Sequence, residues 1–134
     1  MLKEKIDGLT AIHRYGGRAP TASIVGLSEE QKVAHPDVEH PVVRHIPETG
    51  RKSLYISPAY TVQINGYSEQ DSDALLEELF SYALRPEFQY CHTWRDRQIV
   101  FFDNRTTMHS ATPDYPQGAM RTLYRMFVAF ESGA

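Results

Sequence analysis

Only one stretch of this chain sustains a helical period. Leu75, Leu76, Leu79, Phe80 and Ala83 recur at the spacing that gathers apolar side chains on one face of an α-helix. Ser68 stands where a hydroxyl can cap the first turn. Asp71, three residues on, resembles the partner of a capping box with Asp in place of Glu. The helix has to end by Arg85-Pro86, because the residue before a proline is driven out of helical backbone. Such a helix buries its apolar face against something else, and the rest of the chain offers mainly β structure.

Val42-Val43 and Ser53 to Val62 have strand character, separated by the turn-like Glu48-Thr49-Gly50, and Asn65-Gly66 marks another turn. Phe88 to Trp94, Gln98 to Phe102 and Arg121 to Phe130 read as three further strands. Leu2 to Leu9 reads as a short helix with Leu2, Ile6 and Leu9 on one face and Gly8 near its end. Nucleation is too costly for so short a helix to stand without packing partners. Gly16 to Pro41 sustains no period, and loops of this length serve as lids or binding loops or run free over the surface. Antiparallel strands, one main helix and long connections predict a mainly β fold with helices, a sandwich or jelly roll. At 134 residues the chain makes one domain at most.

A net charge of −3 gives no electrostatic case for nucleic acid or an anionic membrane surface. No apolar run approaches membrane-spanning length, and the N-terminal MLKEKIDGL is charged where a signal peptide is apolar. Cys91 is the only cysteine, so an internal disulfide and a thiolate zinc site are both disfavoured, and a reducing cytoplasm is expected.

The chemistry gathers between Phe102 and Arg125. His109 follows Asp103-Asn104-Arg105, and Arg121 and Arg125 lie beyond a Pro/Gly-rich connection. An imidazole can ligate a metal, and a guanidinium can hold a carboxylate or sulfonate through two parallel hydrogen bonds. From residue type alone, a hydrogen-bonded structural histidine and two solvated arginines remain open. The absence of G-x-S-x-G disfavours a serine hydrolase, and the lack of a Gly-rich phosphate loop disfavours a nucleotide binder.

DNRTTMHSAT, followed by DYP and RTLYR, resembles the C-terminal motif of the taurine/alpha-ketoglutarate dioxygenase (TauD/TfdA) family. The resemblance extends through HPVVRHIPETGRKSLYISPAY and SDALLEELFSYALRPEFQYCHTW, from about Leu27 onward. It implies a partial double-stranded β-helix (jelly roll) of the Fe(II)/2-oxoglutarate dioxygenase type, with residues 16–41 as a lid-like insertion. It further implies Fe(II) as metal and 2-oxoglutarate as cosubstrate, with hydroxylation of a small anionic substrate, a sulfonate or carboxylate. By the same resemblance His109 is the distal iron ligand and Arg121 takes the far carboxylate of 2-oxoglutarate. Arg125 and Tyr60 serve the substrate, and no catalytic residue stands apart from the metal site.

Family members draw their other histidine and the carboxylate from an H-x-D/E motif upstream of the insertion, where this sequence does not reach. His35-Pro36-Asp37 is the one H-x-D here, but it falls in AHPDVEHPVVR, which matches the insertion, between prolines that argue against a strand. His13, His40, His45 and His92 read as surface or structural residues. Cys91 and Ser110 stand where relatives often have basic residues, and Phe102 where Trp is frequent. The expectation is a single, N-terminally truncated domain over 1–134 whose C-terminal end looks complete. Its half-built sheet would expose edges and favour self-association, including a homo-oligomer. A non-catalytic remnant or binding module keeping the second half of the fold is the alternative.

Overall fold

The structure is a computed structural model that describes residues 1–17, 28–112, 116, 118–120 and 122–128. Helix α1 (Leu2–Ile6) buries Ile6 and stops at Asp7. Gly8 follows at φ +80°, a left-handed conformation that costs glycine little and other residues much. The helix expected to reach Leu9 therefore ends three residues earlier, and Leu9 packs against the core from outside it.

Strand β1 (Thr10–His13) comes next and is the centre of a three-stranded antiparallel sheet. On one side it pairs with β2 (Val38–Pro41), matching Ala11 to His40. On the other it pairs with β5 (Thr61–Ile64), matching Ala11 to Ile64, with a register shift between Ile12 and His13. The segment expected to run as a loop thus contributes an edge strand, and also a short helix α2 (Glu29–Ala34). Pro41 is tolerated because it closes an edge strand, where its missing N–H interrupts no central ladder.

Strands β3 (Val43–Ile46) and β4 (Arg51–Leu54) form a hairpin about the Glu48-Thr49-Gly50 turn, pairing Ile46 with Arg51. The run read as one strand from Ser53 to Val62 is broken in two. Ser57 C=O accepts from the N–H groups of Tyr60 and Thr61, and Ser57 N–H donates to Thr61 Oγ1 at 2.8 Å, so the chain turns at Pro58. Gly17 lies against this turn. A Cβ there would come within 2.6 Å of Val62 Cγ1 and 3.1 Å of Tyr60 O, too close for any larger residue without a shift.

Helix α3 (Glu69–Ala83) has the predicted span and face. Ser68 Oγ accepts from Asp71 N–H at 3.1 Å and donates to Asp71 Oδ2 at 2.7 Å. The shorter Asp side chain thus meets the cap hydroxyl. Leu75, Leu76, Leu79 and Phe80 join Ile6, Ala11, Val42, Ile56 and Ile64 in one core, each large side chain contributing about 2–3 kcal/mol by burial.

A single 3-10 turn, Pro86–Phe88, follows. Residues 88–94 and 98–102 carry no strand, nor do the described residues 122–128 of the third expected strand. Their apolar side chains face outward: Tyr90 is 85%, Phe101 87% and Tyr124 97% exposed. A strand requires a neighbouring edge to complete its ladder, and none lies alongside them among the described residues. The described part is sheet-rich with few helices.

Candidate functional site

Asp103 organises the loop that leads to His109. Its carbonyl accepts from the N–H groups of Thr106 and Thr107 at 3.1 and 3.0 Å and from Thr107 Oγ1 at 2.8 Å. Its carboxylate accepts from Arg105 N–H at 2.8 Å and from Arg105 Nε and Nη2 at 3.0 and 2.8 Å. The same guanidinium donates through Nη1 to Glu48 Oε1 at 2.8 Å, on the β3–β4 turn 57 residues earlier. Side-chain hydrogen bonds to Arg105 hold both carboxyls below the ordinary range, and these carboxylates push the guanidinium pKa up.

His109 is exposed, with its ring centroid 4.6 Å from that of Phe102. Among the described residues no three His, Cys, Asp or Glu side chains form a group able to hold a metal ion. Two histidines and a carboxylate on one face are what non-haem iron requires. The described residues therefore do not by themselves fit that ion. Arg121 lies outside the described residues. Arg125 is exposed, its guanidinium 4.5 Å over the Phe127 ring, in a segment without the strand that would have fixed its parity with Arg121.

Tyr60 lines an open cleft of about 290 Å³ with His13, Arg14, Tyr15, His35 and His40, and His109 is not among the residues that line it. Both outer members of His35-Pro36-Asp37 are engaged by neighbours. Asp37 takes two hydrogen bonds from Arg14 Nε and Nη2, at 2.9 and 2.7 Å, and His35 packs on Tyr15 at 4.7 Å.

A half-buried cluster escaped sequence reasoning. His13 stacks on Tyr55 at 5.7 Å and meets His40 edge-on at 5.0 Å, while its Nε2 lies 3.2 Å from Thr61 Oγ1. Arg44 covers the Tyr55 ring at 5.0 Å. Burial, and then the neighbouring His40, push the His13 pKa down. Only the β1–β2 pairing brings the two histidines together, and neither strand carries a pattern that announces it.

The family model for taurine catabolism dioxygenase TauD, TfdA family, matches residues 1–127, and the chain belongs to that family. The alpha-ketoglutarate-dependent dioxygenase cnsP of Penicillium expansum is 35% identical over 133 residues, covering 92% of this chain and 34% of that protein. A taurine dioxygenase from Burkholderia xenovorans superposes with a TM-score of 0.62 at 35% identity, over 78% of this chain and 32% of its own. AAD-2, solved with Mn(II) and N-oxalylglycine, gives 0.59 at 30% identity, over 69% and 36%. The chain spans about a third of the length of the relatives it matches. No helix among the described residues is long and apolar enough to cross a membrane.

Proposed function

We propose that these 134 residues form one domain carrying the C-terminal part of an Fe(II)- and 2-oxoglutarate-dependent dioxygenase of jelly-roll type. The family match over residues 1–127, which includes the DNRTTMHSAT turn, carries this reading. His109 supplies one imidazole to the iron, and Arg121 takes the far carboxylate of the cosubstrate. Arg125 and Tyr60 hold a small anionic substrate, a sulfonate or carboxylate; of the lid-like insertion expected over residues 16–41, residues 18–27 lie outside the described residues. The iron, when held, supplies oxygen activation; the chain's own groups bind, orient and exclude water.

The test uses an iron-binding form of the protein extended to the length of its relatives. Succinate should form from 2-oxoglutarate as the substrate is consumed, with sulfite released if that substrate is a sulfonate. Loss of both products in His109→Ala is expected. Succinate formation indifferent to added sulfonates and carboxylates would defeat the substrate assignment and leave the family.

A second reading, a non-catalytic binding module, is favoured by the described residues, among which no three His, Cys, Asp or Glu side chains gather to hold a metal ion. Anaerobic titration of the chain itself with Fe(II) and 2-oxoglutarate separates the two. A stoichiometric visible charge-transfer band, lost in His109→Ala, would exclude the module.

A further inference from the structure

We propose that Glu48, on the β3–β4 turn, is a positioning residue for His109, acting through Arg105 and Asp103. The proposal rests on reading His109 as a metal donor. The segment after Phe88 has no strand ladder of its own among the described residues, so something else must fix its loop to the folded half. Arg105 does this from the centre. Its fork closes on the Asp103 carboxylate on one side and reaches Glu48 Oε1 at 2.8 Å on the other. The guanidinium is planar, so anchoring one edge on Glu48 sets the plane in which the other edge meets Asp103. Through its main-chain carbonyl Asp103 in turn holds the Thr106 and Thr107 amides, three and two residues short of His109. The residue before Asp103, Phe102, packs on the His109 ring. Both ends of the loop that carries the imidazole are thus referred to one residue, Asp103, whose carboxylate is tied through Arg105 to the hairpin.

Charge alone would make this a surface ion pair of little worth, since the Glu48 side chain is 52% exposed. Arg105 differs: its side chain is 23% exposed and it serves both carboxylates at once. The effect is therefore on geometry, with stability nearly untouched.

The measurement is the ring-proton shifts of His109 in histidine-labelled protein, which report the Phe102 ring beside it. Glu48→Ala should move the His109 signals while leaving those of exposed His45 in place. Amide exchange at Thr106 and Thr107 should quicken about three- to fivefold, the size of an exposed pair, and the melting temperature should hold. Glu48→Gln keeps the acceptor oxygen and should return the signals towards the wild-type positions. Arg105→Lys, which keeps the charge and loses the fork, should behave like Glu48→Ala. Unmoved His109 signals in Glu48→Ala and Arg105→Lys would overturn the proposal. Added Mn(II) distinguishes this from the metal reading. Selective broadening of His109 over His45 without a Glu48 effect keeps the donor and overturns the tether. A Glu48 effect without broadening keeps the tether and overturns the donor.

Discussion

The backbone N–H of Ile64, at the end of β5, donates to the hydroxyl of Ser72 on the first turns of α3, at 2.8 Å and with both residues fully buried. A strand amide that no neighbouring strand receives is satisfied here by the helix that packs over it. The contact fixes where along the sheet the helix sits, which general hydrophobic packing does less sharply.

Ser72→Ala should therefore cost about 1–3 kcal/mol, because it leaves a buried donor without a partner while changing the packed volume little. Leu76→Ala, at a fully buried site beside it, should cost about 2–5 kcal/mol through lost contacts and a cavity. Urea titration measures both. A neutral Ser72→Ala would mean that the amide finds another acceptor when the helix shifts.

The His13 cluster makes stability depend on pH. Burial and the facing His40 lower the folded-state pKa of His13 below its unfolded value, with Tyr55, and Arg44 above it, as the other ionisable neighbours. The unfolded chain then takes up a proton more readily than the folded one. Stability is full above about pH 6.5 and declines as pH falls below that value towards the depressed folded pKa. Denaturant midpoints between about pH 7.5 and 5 should show this decline, and His13→Gln should flatten it. An unchanged slope in the variant would assign the dependence to other groups.

How much of this was legible in the sequence depends on how local the cause is. Helix α3 was readable because Ser68, its apolar period and Arg85-Pro86 all act within one element. Strand β1 was not, since TAIH is too short to show alternation and is a strand only because two others flank it. Pro41 misled for the same reason: a proline argues against a central strand, and β2 lies at an edge. At the site, the DNR motif and His109 were readable as a string. The bond from Arg105 to Glu48 was not, because 57 residues separate its ends. The later strands were expected from composition that is indeed strand-like, but a ladder needs a second edge that no single segment can supply.

The Arg14–Asp37 pair bears on the only H-x-D in the chain. Asp37 spends its carboxylate on a two-point contact with Arg14, which lowers its pKa further. Both side chains are largely exposed, so Asp37→Ala should change stability by less than about 1 kcal/mol. Neither it nor His35→Ala should alter Fe(II) binding by the chain, read by anaerobic titration with 2-oxoglutarate. A charge-transfer band that disappears in His35→Ala would make this motif a metal site after all.

The outward-facing apolar residues after Phe88 give the last expectation. Phe101, Tyr124, Met126 and Val128 are each more than four-fifths exposed, and Tyr90 and Ile99 add to the same stretch. Scattered apolar side chains are ordinary on a soluble surface, whereas many within one segment drive association, since each buried Å² gains about 25 cal/mol. The chain should therefore show a mass that rises with concentration in light scattering. Phe101→Ser combined with Tyr124→Ser should shift this rise to higher concentration without lowering the urea midpoint, because neither residue belongs to the core. A strictly monomeric mass at high concentration in the unmodified chain would show that this surface is tolerated by itself.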